Sequence, residues 1–317
     1  MLGEGNTWKD HASYVIRRLS LRNIVPSNAA ELVRILNLND DGADRYVGGH
    51  PGESLLAKVY GGQLIAQALV AATRTVDPGR PVHSLQTICL DVGRHGEPVQ
   101  FEVERLRDGR SFSARAVIAR QGGRPVLRLL ASYQPREQGL SHQIPMPIAP
   151  PPGGLPLAHE VMAAFSNLSG NEWRVEWSGL DLRYVSGHLE GRVGRTPAVQ
   201  QLWVRVKDRL PDDAVLHRHI VAYLSDLTMT SASLLPHGPV FGDLELPRAT
   251  LNHSVWFHED ARADEWLFVD QRSPWAGGAR GLSFATVYSA DGRPVASLAQ
   301  EGLIRPLGRM RRQLGFD

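Results

Sequence analysis

The sequence predicts an α+β fold built twice in one chain, each copy an antiparallel sheet wrapped around one long apolar helix. Three observations predict it. A proline-rich stretch divides the 317 residues into halves of similar size. Short words recur in the same order in both halves. Each half also places alternating strand patterns behind a single apolar helix pattern.

The dividing stretch runs from Pro145 to Pro156 and reads PMPIAPPPGGLP, six of its twelve residues being proline. Proline fixes φ and removes a backbone donor, so this segment is neither core helix nor central strand. It is expected to be an extended linker. The expected organisation is an N-terminal extension over 1–28, a first unit over 29–140, the linker over 141–174 and a second unit over 175–317.

In the first half, HSLQTICL from His83 is followed by FEVERL, FSARAVIA and GGRPVLRLLAS. In the second, HSVWFH from His253 is followed by WLFVDQ, GLSFATVYS and DGRPVASLAQ. The His-Ser pairs lie 253 − 83 = 170 positions apart, and the Gly-Arg-Pro-Val tetrads at Gly123 and Gly292 lie 169 apart. Two landmarks in order at nearly one offset indicate an internal duplication.

The first helix is expected from Leu64, Ile65, Ala68, Leu69 and Ala72. It is apolar almost all round, hence buried on most sides, and stops at Asp77-Pro78-Gly79. Strands follow: Val99, Phe101 and Val103 share one face, as do Phe112, Ala114, Ala116 and Ile118. Asp108-Gly109 between them carries a hairpin signal, as does Asp291-Gly292 in the second half. The second helix is expected from Leu216, Ile220, Leu224 and Leu227, ending before Pro236-His237-Gly238-Pro239. An antiparallel meander around one helix results in each half.

Composition narrows the function. Lys plus Arg number 35 against 33 Asp plus Glu, a net charge of +2, which gives no electrostatic case for nucleic-acid binding. The single cysteine, Cys89, excludes a disulfide framework or multi-cysteine zinc site within the chain. The most apolar run, Leu64 to Ala72, is nine residues long, well short of the ~18 needed to cross a bilayer. The first residues lack a secretory pattern and the last four, LGFD, are no peroxisomal address, so a soluble cytoplasmic protein is expected. No HExxH, Walker A, G-x-G-x-x-G or G-x-S-x-G motif is present. His83 and His253, each before a serine, read as structural, since neighbours on a strand point to opposite faces. His217 and His219 do not share a helix face. Cys89, Trp203, Trp256, Phe257 and Trp266 read as core residues, and Arg309 to Arg312 as a solvated basic tail.

VYGGQLIAQALVAA, PVHSLQTICL, LRDGRSFSARAV and ASYQ in the first half resemble the type II acyl-CoA thioesterases, the TesB-like family. In the second half AYLSDLTM, LLPHG, ATLNHSVWFH, EWLFVDQRSPWAGGARG and DGRPVASLAQEGLIR do so in the same order, so the resemblance covers about residues 29 to 306. It implies a double hotdog fold, two antiparallel sheets each around a long central helix, and self-association into a homo-oligomer. It also implies a catalytic Asp, Thr and Gln from the second half. By motif these are Asp226 in AYLSD, Thr250 in ATLNHS and Gln300 in SLAQEG. The family often has an acid before the histidine; here that position is Asn252. The reaction implied is hydrolysis of a fatty acyl-CoA to fatty acid and coenzyme A, with no metal or other cofactor.

The residue types suit that chemistry. Thioester hydrolysis needs a positioned water, a proton acceptor and donors for the developing oxyanion. A carboxylate accepts only, whereas Thr and Gln both donate and accept, so the three together can fix one water. A free Asp is a weak base, its pKa near ~3.9, and burial on the apolar helix would raise that value. Gly61-Gly62, opening the first helix, permits close approach of substrate to backbone N–H groups and is the expected substrate-binding element. At the 169 offset the first-half counterpart of Gln300 is Ala131, which points to one active site per pair of units. The alternatives are a non-catalytic acyl-CoA-binding double hotdog protein, free to lose any of the three residues, and a dehydratase, whose His-Asp or His-Glu pair is not evident from spacing.

Overall fold

A computed structural model describes residues 26–49, 58–94, 96–163, 169–186, 197–237, 246–308 and 312. Of the N-terminal extension expected at 1–28, only the last three residues fall within this set. Arg309–Arg311 of the basic tail lie outside the described residues.

The first unit begins with α1 (Ala29–Leu36), capped by Asn28, whose side chain accepts the Glu31 N–H at 2.9 Å. Two short strands follow, β1 (Asn39–Asp40) and β2 (Arg45–Gly48). Helix α2 (Gly61–Thr73) comes next, then the meander β3 (Val82–Cys89), β4 (Val99–Asp108), β5 (Ser113–Gln121) and β6 (Arg124–Tyr133). Every residue of α2 from Gly62 to Ala72 is buried, as its all-round apolar pattern requires. Its one central amide, Gln67, is accommodated because its Nε2 donates to the carbonyls of Ile35 and Gly49. Between the units lie short helices α3 (Ala158–Ala163) and α4 (Gly170–Glu176).

The second unit comprises β7 (Leu180–Ser186), β8 (Val199–Val206), helices α5 (Ala214–Leu224) and α6 (Met229–Leu234), and the meander β9 (Arg248–Phe257), β10 (Leu267–Gly277), β11 (Arg280–Ser289) and β12 (Pro294–Ile304). The turn joining β11 to β12 holds Gly292 at φ +85°, where a side chain would be strained.

The double hotdog is as expected, with three differences of detail. First, two separate sheets were expected. The strands instead form one continuous twelve-stranded sheet, β1-β2-β4-β5-β6-β3-β9-β12-β11-β10-β8-β7. Each unit alone would leave an unpaired edge, β3 in one and β9 in the other. These two edges pair antiparallel, Leu85 opposite Val255 and Thr87 opposite His253, which satisfies both. Second, the helix expected through Leu216 to Leu227 breaks after Leu224. The Ser225–Thr228 turn separates α5 from α6, and Ser225 is hydrogen-bonded back to the Ala222 carbonyl at 2.8 Å. Third, the proline-rich segment is pinned rather than a free tether. Met146, Ala149 and Leu155 pack on Trp203, Phe268 and Tyr288, and the Trp203 indole donates to the Pro150 carbonyl at 3.0 Å. Extended backbone without donors is well suited to cover an aromatic surface. Trp203 and Phe257 are buried as expected, whereas Trp256 is exposed, because alternation along β9 turns it to the sheet's outer side. No helix among the described residues is long and apolar enough to cross a membrane.

Candidate active site

The start of α2 meets the end of α5. Tyr60, just before α2, donates its hydroxyl to the Tyr223 carbonyl at 2.7 Å and packs edge-on against that ring. A Cβ on Gly62 would stand 2.3 Å from the same carbonyl, so only glycine permits this approach. The contact brings the first unit's helix N-terminus against the turn that breaks the second unit's helix.

Asp226 lies on that turn. Its Oδ1 accepts from Thr250 Oγ1 at 2.8 Å, and the Gly62 backbone N–H and the Gln300 side chain lie near enough to favour its charged form. Gly61 makes the room: a Cβ there would sit 2.5 Å from Asp226 Oδ2. Burial pushes the carboxyl up to about 6, an effect that the bond from Thr250, the nearby Gly62 N–H, the charge of Lys58 and the Gln300 amide only partly offset. The positive end of α2 lies on the same side and favours the carboxylate.

Thr250 is on β9 and Gln300 on β12, neighbouring strands. Gln300 Nε2 donates to Thr250 Oγ1 at 3.3 Å and to Thr230 Oγ1, from α6, at 3.1 Å. Asp226, Thr250 and Gln300 therefore form one connected group, and Gly61 and Gly62 complete its wall from the other unit. The Gly62 N–H lies beside the carboxylate and favours its charged form. As the first helical residue, Gly61 has no acceptor for its N–H within the helix.

Residues that sequence reasoning passed over also belong here. Largely buried Lys58 donates to the Arg248 carbonyl and adds positive charge near Asp226. Thr230 shares the Gln300 amide. His253, expected to be merely structural, lies within 2.6 Å of Gln300 Oε1 through Nδ1 and within 2.7 Å of Ser225 Oγ through Nε2. Plain alternation would send Thr250 and His253, three apart, to opposite faces. The pairing of β9 with β12 skips Leu251, passing from Asn252 opposite Glu301 to Thr250 opposite Gly302. That bulge reverses the phase, so both side chains point inward with Gln300. A one-residue irregularity of this kind leaves no mark in hydrophobic periodicity.

Asn252 takes the outer side, donating to Glu301 at 3.2 Å. Cys89 is half-buried at the end of β3, its thiol pushed up to about 12 by burial and so not a nucleophile.

Residues 51–134 match the acyl-CoA thioesterase N-terminal domain and residues 152–304 the acyl-CoA thioesterase C-terminal domain. Among solved structures, acyl-CoA thioesterase II TesB2 from Mycobacterium marinum is 39% identical with a TM-score of 0.72, covering 86% of this chain and 97% of that one. The chain belongs to the type II acyl-CoA thioesterase family. Acyl-coenzyme A thioesterase 8 of Rattus norvegicus is 36% identical over 290 residues, 87% of this chain and 89% of the relative. A conserved protein of unknown function with hot dog fold from Alicyclobacillus acidocaldarius, 21% identical with a TM-score of 0.69 over 87% of this chain and 98% of that one, shares the fold.

Proposed function

We propose that this thioesterase hydrolyses fatty acyl-CoA to the free fatty acid and coenzyme A, using a water held and deprotonated by Asp226, Thr250 and Gln300. The observation that supports this most is a partly buried carboxylate, pushed up to about 6, bonded to a threonine that is itself bonded to a glutamine amide. A base is most effective when its pKa lies near the working pH, and burial supplies that here.

Asp226 Oδ1 is occupied by Thr250, so the attacking water bonds to the remaining oxygen, and the Gln300 N–H that makes the long 3.3 Å bond to Thr250 turns to the water as its second anchor. As water oxygen bonds to the thioester carbon, its proton passes to Asp226. The carbonyl π electrons move to oxygen, and we assign the Gly61 N–H as the donor that meets the oxyanion. Collapse re-forms the carbonyl, breaks the C–S bond and releases the coenzyme A thiolate, which takes the proton from Asp226 and so returns the base to its ionised form. The Gly62 N–H, beside the carboxylate, favours the ionised base rather than the oxyanion. The family resemblance supports self-association as well, and exposed Ile88, Leu130 and Phe284 offer apolar surface for it.

Product analysis tests the reaction class. Free thiol and carboxylic acid in equal amounts are expected from an acyl-CoA. An enoyl-CoA product with the thioester intact would replace hydrolysis by dehydration. Tight binding with no product from any chain length would leave a ligand-binding protein.

A further inference from the structure

We propose that His253 is a positioning residue: its Nδ1–H selects the orientation of the Gln300 amide in which Nε2, not Oε1, faces Asp226 and the attacking water. The inference rests on the reading of Gln300 as a water-holding group. It starts from a chain of five side chains, Ser225, His253, Gln300, Thr250 and Asp226, linked in that order at 2.7, 2.6, 3.3 and 2.8 Å. His253 and Gln300 are directly opposed across β9 and β12, and both are buried. The carbonyl of His253 accepts the Thr87 hydroxyl at 3.0 Å, so the seam between the two units fixes the ring's backbone as well.

An amide side chain can turn over and exchange its oxygen and nitrogen with little change in shape. In one orientation Gln300 Nε2 donates to Thr230 and Thr250 on the side of Asp226, and Oε1 meets His253. In the other, Oε1 would confront the Asp226 carboxylate and Thr250, whose hydroxyl is already donated to Asp226. That orientation places two acceptors together and removes the donor that holds the water. The ring has two tautomers that match these orientations. With the proton on Nδ1 it donates to Oε1 and favours the productive amide, and its bare Nε2 takes the Ser225 hydroxyl proton from the Ala222 carbonyl; with the proton on Nε2 it donates to Ser225, whose hydroxyl stays on Ala222, and favours the reversed one. The carboxylate breaks the tie, since only the first arrangement gives it a donor. His253 is neutral at working pH, since burial holds its pKa down at about 4, so one nitrogen carries a proton and the other accepts. His83 provides the contrast. Its Nε2 contacts Ser132 at 2.8 Å on the paired strand β6, so the first unit has the histidine without a catalytic amide to orient.

Two near-isosteric substitutions separate orientation from packing. The Asn amide nitrogen falls near His Nδ1, and the Gln amide nitrogen near His Nε2. His253→Asn keeps the donor to Gln300; His253→Gln removes it. We expect kcat for CoA release to fall about 10- to 100-fold in His253→Gln with KM within twofold, the effect of one orienting buried hydrogen bond. His253→Asn should stay within several-fold of the parent. Wild-type kcat in His253→Gln, or equal losses in both variants that track equal losses of Tm, would overturn the inference. If neither variant folds, the ¹⁵N–¹H couplings of the assigned His253 ring in the unaltered protein decide it: a proton on Nδ1 supports the proposal and one on Nε2 refutes it. Parallel assay of Asp226→Asn keeps the two readings apart. A wild-type enzyme unaffected by Asp226→Asn sinks the water-holding account and this inference with it. Loss in Asp226→Asn alone sinks this inference only.

Discussion

Asp226 should destabilise the protein whose chemistry it carries. Its carboxyl rises from the ordinary 3.8 to about 6 in the folded chain, mainly through desolvation. At roughly 1.36 kcal/mol for each tenfold change in proton affinity, this is about 3 kcal/mol. A raised pKa means that the folded state holds the proton more tightly than the unfolded chain. Stability attributable to this residue is therefore highest below pH 3.8, falls as pH rises, and is at its minimum above about 6. Asp226→Asn removes the charge at nearly constant shape. The amide has only one acceptor, which keeps the Thr250 bond while its NH2 faces the Gly62 and Gln300 N–H groups, a cost of about 1 kcal/mol. The variant should be more stable than the parent by about 2 kcal/mol at pH 7.5. With an unfolding entropy of about 2.1 cal/mol/K per residue over 317 residues, this corresponds to a Tm higher by about 3 °C. At pH 4 the advantage should vanish. Denaturant unfolding of both proteins at the two pH values measures it. A variant less stable at pH 7.5, or a difference independent of pH, would refute the reasoning that burial raises this carboxyl.

Three further outcomes follow from the same geometry. The pH dependence of kcat/KM should rise with unit slope and level off with a midpoint near 6, since the base must be ionised; a midpoint near 4 would place Asp226 in water. Gly61→Ala puts a methyl 2.5 Å from Asp226 Oδ2, so CoA release should fall about 100-fold while the fold survives, whereas Gly62→Ala, at 2.3 Å from the Tyr223 carbonyl, should cost about 1–3 kcal/mol of stability; kinetics and thermal unfolding of the two variants read these. Thr250→Val removes the donor to Asp226 and should raise the midpoint of the pH profile while lowering kcat about 10- to 100-fold, and Thr250→Ser should restore both.

Much of this architecture is legible in one dimension. The strand patterns from FEVERL to GRPVLRLLAS and from WLFVDQ to GRPVASLAQ correspond to β4–β6 and β10–β12, because a half-buried strand must alternate. The run Leu64 to Ala72 forms a helix buried on nearly all sides for the equally direct reason that it has no polar face. What periodicity does not carry is pairing between distant segments. The fusion of the two sheets depends on β3 and β9 finding each other across 166 residues, from Thr87 to His253. The break after Leu224 depends on a buried serine turning back on its helix, although the apolar spacing continues through Leu227. That His253 shares a face with Thr250 is hidden because β9 skips Leu251, which plain alternation does not show. Asp226, Thr250 and Gln300 came from motif resemblance; their convergence with Gly61 and Gly62 requires the contact of two helix ends from opposite halves.

The central claim is that the partly buried carboxylate of Asp226 activates water against a thioester. Release of coenzyme A from short, medium and long acyl-CoAs, followed with a thiol-reactive dye for the parent and for Asp226→Asn, tests it directly. The account predicts kcat reduced by at least a hundredfold in a variant that still binds acyl-CoA and unfolds at a higher temperature than the parent at pH 7.5. Unchanged release by that well-folded variant would contradict it.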